Sequence, residues 1–158
     1  MRLRPKDQPL RYPVGASLWQ DAEGDRKNIS FSCTPELEEW ACRVDESVIH
    51  LASRCCSAAL FGKQLTPNEV MDMHTPFRKE GKGEYPATIK AKINLAGKRT
   101  VKCFDEQDQP RAMPTDFREV SVVAAILINH IWMQARTFGI VAEVTHARIS
   151  QEDAGCPF

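Results

Sequence analysis

The sequence predicts an α+β chain, mainly β with inserted helices, and three patterns carry that prediction. Residues 87–95 alternate strictly between apolar and polar side chains, which is typical of a strand with one buried face. Residues 119–133 and 139–149 are apolar and long enough for two further strands. Residues 35–59 instead repeat apolar side chains at helical spacing. A chain of 158 residues fits one domain, so these elements are expected to share one core.

The N-terminal part predicts an arm followed by two short strands. Residues 1–12 carry four basic side chains and one acidic one, without the apolar stretch of a secretory signal. We expect them to form a flexible basic arm. The segments "VGASLW" and "NISFSCT" have the composition of strands, and the polar segment "QDAEGDRK" between them predicts a turn.

Capping residues place a helical insertion at residues 35–74. Thr34 suits the N-cap of a helix whose apolar stripe continues towards Gly62, a residue typical of helix ends. In "TPNE", Thr66 and the glutamate three residues later have the spacing of a capping box. A second, short helix is therefore expected to begin there and to end near His74.

The two strands around residues 96–98 predict a β-hairpin with a basic outer side. A three-residue loop pairs Ile93 with Val101, so that apolar side chains meet apolar ones. The same register places Lys92 directly opposite Lys102.

The last two strands are expected to lie deeper in the fold. The segment "VAAILINHIW" is apolar enough for a central strand buried on both faces. In the final strand the alternation slips between Val144 and Ala147, which predicts a β-bulge.

Charge is segregated along a chain whose net charge is zero. Residues 78–102 carry eight basic side chains against two acidic ones, whereas residues 21–46 carry eight acidic against three basic. Like charges opposite each other on a sheet cost under about 1 kcal/mol, so lysines splayed into water explain the stripe as well as a bound polyanion does. A basic stripe confined to one face nevertheless favours a phosphate-bearing partner.

Aromatic side chains accompany the basic ones, and this is the combination that single-strand binders use. Each aromatic residue taken alone is more often a core residue, and we assign Trp40, on the apolar side of its helix, to the core. The side chains expected to contact nucleic acid are Arg78, Lys79, Lys82, Tyr85, Lys90, Lys92, Lys98, Arg99, Lys102, Phe104, Trp132 and Arg136.

No catalytic, cofactor or metal motif accompanies this face. The sequence lacks a GxGxxG, a P-loop and a nucleophile elbow, so no enzyme and no cofactor is expected. The six cysteines lack CxxC spacing, which favours free thiols in a reducing compartment, the cytoplasm or nucleus. No apolar run is long enough to span a membrane. Asp105, Glu106 and Asp108 fit a polar hairpin loop better than a metal site.

Three segments resemble the single-stranded-DNA-binding proteins of large eukaryotic DNA viruses and, more distantly, those of tailed phages. They are "ISFSCTPELEEWACRVDESVI", "ALFGKQLTPNEVMDMHTPFRKEGKGEYPATIKAKI" and "AAILINHIWMQARTFGIVAEVTHARI". The middle segment has that group's Phe-Gly-Lys step, short helix, basic loop and Tyr-Pro before a lysine-rich strand. The last segment has its Ile-Trp strand and Phe-Gly turn. The resemblance covers about residues 10–150.

The resemblance implies an OB-fold, a five-stranded antiparallel barrel, at residues 13–150 with the helical insertion between early and late strands. It also implies sequence-tolerant binding of single-stranded DNA in replication, recombination or repair, with a viral origin. The residues that it carries over are Arg78, Lys79, Lys82, Tyr85, Lys90, Lys92, Lys102 and Trp132.

The C-terminal tail, residues 151–158, ends in Pro157-Phe158 after two acidic residues. Phage and bacterial proteins of this kind end in acidic tails with a terminal aromatic residue. The similarity implies that Pro157 and Phe158 contact replication or recombination proteins, although a chance Pro-Phe end explains the tail equally well.

Two other interpretations stay open at this point. An OB-like barrel could serve as a structural or interaction subunit of a larger assembly, with its lysines facing an acidic protein. RNA is the third candidate, since OB-folds accept either nucleic acid. The sequence also leaves open whether the chain forms a homo-oligomer.

Overall fold

The structure is a computed structural model that describes residues 2–3, 10–11, 19–20, 26–55, 57–114 and 120–151. Its strands are β1 (Arg2–Leu3), β2 (Leu10–Arg11), β3 (Trp19–Gln20), β4 (Arg26–Ser32), β5 (Arg78–Lys79), β6 (Thr88–Asn94), β7 (Lys102–Phe104), β8 (Val120–Gln134) and β9 (Thr137–Gln151). Its helices are α1 (Pro35–His50), α2 (Ser57–Phe61) and α3 (Pro67–Met73), with a π-helical turn at Leu51–Cys55 between α1 and α2.

The strands form one sheet with the order β1-β8-β9-β6-β4-β3. Strand β2 also pairs with β8, β5 with β6, and β7 with β9. Strands β4 and β6 pair antiparallel over their whole length, and the long strands β8 and β9 form an antiparallel hairpin. Both β6 and β7 run parallel to β9, so the expectation of a wholly antiparallel sheet is wrong.

The predicted hairpin between β6 and β7 is also wrong. The chain does close a loop after β6, because the Val101 N–H donates to the Asn94 carbonyl at 2.8 Å. The two strands then lie one after the other along β9, with Lys92 beside Glu143 and Lys102 beside His146. Strand β4 already occupies the other edge of β6, and β9 is long enough to supply hydrogen bonds to both strands in turn. Each lysine thereby has a partner other than a second lysine.

Short strands also lie within the N-terminal region. In the range 1–12, expected to be a flexible arm, β1 and β2 pair antiparallel with β8. Strand β3 pairs with β4 through Trp19 and Asn28. The rest of the strand expected at "VGASLW" lies outside the described residues. The domain boundaries at 13 and 150 stay predictions.

The expected helix starts are confirmed. The Thr34 hydroxyl accepts from the Leu37 N–H at 3.3 Å at the start of α1. The Thr66 side chain caps α3, and the Glu69 side chain accepts from the Thr66 N–H in return; α3 ends at Met73 with His74 as its C-cap, near the expected position. The single helix expected up to Gly62 is instead interrupted by the π-helical turn. Gly62, at φ +71°, follows α2 in the left-handed conformation that ends helices.

The predicted bulge in the last strand is confirmed. Ala125 pairs with His146 and Ile126 with Val144, so Thr145 is an extra residue on β9. A second shift leaves Asn129 as an extra residue on β8. The bulges matter for the surface described below, because they decide which β9 side chains share a face.

The helices pack against the core side of the sheet. The core combines Ile29 and Phe31 of β4 with the alternate residues of β6, β8 and β9 and the buried stripe of α1. Trp40 stacks edge-on against Phe77, with ring centroids 5.8 Å apart, as its assignment to the core predicts. No helix among the residues described here has both the length and the apolar character that a membrane span requires.

Candidate nucleic-acid interface

Alternation along β4 and β6 separates a buried side from an outward side. Ile89, Ala91 and Ile93 are buried, whereas Lys90 is exposed and Lys92 is half-buried on the opposite side. The antiparallel register places Ser30 beside Lys90 and Asn28 beside Lys92. We call the side that carries Lys90 and Lys92 the outward face.

Strands β7 and β9 continue the outward face. Cys103 and Ala147, which pair with each other, are both buried, so their neighbours Lys102 and Phe104 point outward. On either side of the bulge residue Thr145, His146 pairs with Ala125 and Glu143 pairs with Leu127. Ala125 and Leu127 lie on the same side of β8, so His146 and Glu143 also share one side. Lys90, Lys92 and Lys102 therefore share one face by a route that the hairpin prediction did not contain.

A buried carboxylate lies in the middle of this face. The Glu143 side chain is only 5% exposed and is the register neighbour of Lys92. The Asn94 amide donates to Glu143 Oε1, and the Asn129 amide donates to Oε2 at 3.0 Å. A carboxylate can only accept, so these amides supply the donors that its burial requires. The sequence analysis missed this group, although a lone acid in the apolar segment "IVAEV" is unusual enough to mark it.

Trp132 lies on the outward face at the far end of β9. It pairs with Gly139, and a Cβ added to Gly139 would lie 2.8 to 2.9 Å from three atoms of the indole ring. The indole therefore rests on the glycine, at a distance that no other residue allows. Arg136 is exposed in the adjoining turn, where Ala135 adopts a positive φ of 54°. Phe138, on the other side of this turn, is fully buried and packs edge-on against Phe61 in the core, with ring centroids 5.5 Å apart.

Strand β5 places Arg78 and Lys79 next to the start of β6. The Arg78 guanidinium is held by Glu38 of α1, with Nε to Oε1 at 2.9 Å and Nη2 to Oε1 at 2.6 Å. Hydrogen bonding to Glu38 raises the pKa of Arg78, so the group stays charged but is already paired. Lys79 is exposed. A phosphate could use Lys79 directly, whereas at Arg78 it must displace Glu38.

Aspartate 45 fixes this segment to helix α1. Its carboxylate accepts from the Phe77 N–H at 2.8 Å and from the Arg78 N–H at 3.2 Å. His74 Nε2 lies 3.3 Å from Asp45 Oδ1, and the imidazole is buried. Desolvation lowers the pKa of His74, against the smaller opposing effect of Asp45. The helical layer thus sets the position of β5.

The basic loops lie at the ends of β6. Lys82 and Tyr85 are exposed in the loop before it, and Tyr85 is 66% exposed. Gly81 permits this loop, because a Cβ there would lie 2.1 Å from the Tyr85 carbonyl oxygen. Lys98 and Arg99 are exposed in the loop after β6. The expected tail residues Pro157 and Phe158 lie outside the described residues.

Two cysteine thiols and one loop carboxylate are held by their local surroundings. Burial raises the pKa of the Cys33 thiol to about 11 and also raises that of Cys103, so both stay protonated near neutral pH. Asp105 instead accepts from the Gln107 and Gln109 N–H groups and closes its own loop. Within the described part of the chain, no three His, Cys, Asp or Glu side chains group so as to hold a metal ion.

Comparison with solved structures identifies proteins with a similar fold. No protein-family model matches the sequence, and no curated protein matches it. The single-stranded DNA-binding protein of bacteriophage Enc34, in complex with ssDNA, has a TM-score of 0.54 and 13% identity, over 94% of this chain and 86% of that chain. A C-terminal truncation of the same Enc34 protein has a TM-score of 0.54 and 13% identity, over 95% of this chain and 86% of that chain. A third structure of the Enc34 protein has a TM-score of 0.52 and 12% identity, over 95% of this chain and 84% of that chain.

At such identities the similarity concerns the fold. The resemblance seen in the sequence is confirmed for phage proteins at that level. The mixed α+β fold, with its helices between strands β4 and β5, is consistent with the expected OB-like fold.

Proposed function

We propose that this protein binds single-stranded DNA without strong sequence preference, through the outward face. The observation that carries the proposal is the placement of Lys90, Lys92 and Lys102 on one side of the sheet together with Trp132. Proteins of this class combine a basic surface that follows the phosphates with aromatic rings on which bases stack. The fold shared with the Enc34 protein, whose structure was determined with ssDNA, supports the same conclusion.

The sheet order supports closure of the strands into an OB-type barrel. Strands β1 and β2 pair with β8, while β3 pairs with β4 at the other end of the strand path. The N-terminal segment thus reaches both ends, as a closing strand would. Closure would curve the outward face of β4 and β6 around the barrel.

The proposed contacts are graded by what each side chain is already bonded to. Lys79, Lys82, Lys90, Lys98, Arg99, Lys102 and Arg136 are exposed. Lys92 lies beside a buried carboxylate, and Arg78 is paired with Glu38. We therefore expect the exposed lysines to dominate the salt dependence of binding.

The biological setting that we propose is DNA replication, recombination or repair, with an intracellular, viral origin and no catalytic step. Binding to replication or recombination proteins through Pro157 and Phe158 is part of the proposal.

A fluorescence-anisotropy titration tests the binding. Labelled oligo-dT, oligo-U and a duplex are compared at about 50 and about 200 mM salt, a range over which three phosphate contacts cost a single-strand binder about 20-fold in affinity. We expect oligo-dT to bind most tightly. Absence of binding at low salt would instead assign the lysines to a protein partner, and preference for oligo-U would make RNA the ligand.

Two lysine variants locate the interface. Lys90→Glu should weaken binding to all sequences alike and reduce the loss over the same salt range to about 7-fold, because one exposed contact is removed. Lys63→Glu is the matched control, since Lys63 is exposed in the loop between α2 and α3 on the helical side. Equal losses in the two variants would remove the outward face from the binding site.

A further inference from the structure

Phe104 and His146 form a pair of parallel rings on the outward face. Their ring centroids lie 6.4 Å apart and their planes differ by 7°. They are diagonal neighbours on β7 and β9, because Phe104 pairs with Arg148 and Lys102 pairs with His146. Since the two planes are parallel, a flat ligand stacked on one ring is also parallel to the other.

Hydrogen bonds fix the orientation of the imidazole. The Thr145 hydroxyl donates to the Ala125 carbonyl at 3.2 Å. The hydroxyl oxygen, Thr145 Oγ1, also lies 3.1 Å from His146 Nδ1. Because the hydroxyl proton is used on the carbonyl, Nδ1 is the donor in that second contact. The bulge residue thus holds the exposed His146 ring in place, with Nε2 at the edge away from Thr145.

Basic side chains border the ring pair. Lys102 is exposed beside His146. Arg148, beside Phe104, contacts Asp108 at 2.5 Å, and both of these side chains are more than half exposed. The surroundings therefore offer one cation directly and a second in an exposed ion pair, which contributes little stability of its own.

The ring pair and Trp132 lie at two points along one strand. Trp132 rests on Gly139, seven residues before His146 on β9. At a rise of about 3.3 Å per residue, reduced by the bulge, the two points are about 20 Å apart. Lys92 lies beside Glu143 between them.

We infer that Phe104 and His146 are a second base-stacking platform, and that one DNA strand following β9 engages this pair and Trp132 together. The inference rests on the proposed function and extends it by naming His146 and the path of the strand. A span of about 20 Å corresponds to about six nucleotides stacked at 3.4 Å, or to about three when the strand is stretched to twice that rise.

A length series of oligo-dT, from about two to about twelve nucleotides, tests the path, since OB-folds cover about 4 to 16 nucleotides. Affinity of the unaltered protein should rise with length and level off once both platforms are bridged. Phe104→Leu and His146→Gln should each lower affinity for the longest oligonucleotide by about 5- to 140-fold, the equivalent of one stacked base. The shortest oligonucleotide can use either platform, so it should lose only about twofold.

Two further measurements separate stacking from charge and from folding. The salt slope should be unchanged in both variants, whereas Lys102→Gln should reduce it by about 0.7. Phe61→Leu is the matched control, because Phe61 is a half-buried ring that packs against Phe138 on the helical side. It should bind all lengths as the unaltered protein does.

The outcomes distinguish this inference from the proposed function. Full affinity of both Phe104→Leu and His146→Gln for the longest oligonucleotide, with Trp132→Leu impaired, overturns the second platform and leaves the proposed function standing. The exposed His146 makes this decisive even if Phe104→Leu unfolds. Failure of the unaltered protein to bind any length at low salt overturns both.

Discussion

Replacement of Gly139 by alanine should detach Trp132 from its position without harming the fold. The added Cβ would lie 2.8 Å from Cζ2 and 2.9 Å from Cε2 and Nε1 of the indole. Ordinary contacts of a Cβ lie at 3.4 to 4 Å, so the ring must move by about 0.6 Å or more or change rotamer. A change of rotamer takes the indole away from β9.

The two consequences have opposite signs. Alanine is better than glycine in a strand by about 0.5 to 1 kcal/mol, so the free energy of unfolding should stay level or rise slightly. If the indole stacks on a base in the complex, binding should weaken by up to one stacking interaction, about 1 to 3 kcal/mol. That range corresponds to a dissociation constant about 5- to 140-fold higher.

The assay combines oligo-dT titration with urea unfolding of Gly139→Ala, Trp132→Leu and the double variant. In the Trp132→Leu background the added methyl group has no indole to displace, so Gly139→Ala should then change nothing. Binding of oligo-dT should quench tryptophan fluorescence, and the part due to Trp132 is the quench of the unaltered protein minus the quench of Trp132→Leu. Full affinity and full quench in Gly139→Ala would refute the reasoning, as would an equal loss of affinity in both backgrounds.

Three further predictions concern the segment that α1 holds in place. Asp45→Ala should lower the free energy of unfolding by about 2 to 4 kcal/mol, because two backbone N–H groups lose a charged acceptor; Asp45→Asn keeps one acceptor, and urea unfolding should show about half that loss. The pKa of His74 is lowered on folding, so the unfolded state binds the proton first, and stability should fall as pH drops below the unfolded-state value of about 6.5. His74→Gln should flatten this pH dependence in urea titrations between about pH 7.5 and 5.5, and an unchanged slope would place its origin elsewhere. Arg78→Gln should leave the salt slope of DNA binding nearly unchanged, whereas Lys79→Gln should reduce it by about 0.7, and the reverse order would show that phosphate displaces the carboxylate from Arg78.

Features that depend on neighbours in sequence were predictable. Thr34 and Thr66 mark helix starts because a cap is decided within four residues. The alternation in "ATIKAKINL" gave the buried and outward sides of β6, since a strand has period two wherever it pairs. The slip near Thr145 gave the bulge for the same reason.

The pairing of strands was not predictable in this way. Lys92 of β6 and Lys102 of β7 were expected to face each other, yet β6 and β7 each pair with β9 instead. A short loop and matched alternation fit a hairpin and a parallel neighbour equally well, because both keep apolar side chains on one face.

The sequence by itself therefore determined the helix starts, the buried side of β6, the bulge in β9 and the basic character of residues 78–102. Only the tertiary structure decided that Glu143 lies buried beside Lys92, that Glu38 pairs with Arg78, and that Trp132 rests on Gly139. Helix capping and the alternation of a strand depend only on residues a few positions apart in the sequence. These three contacts join residues 7 to 51 positions apart, and their existence depends on how distant strands and helices pack together.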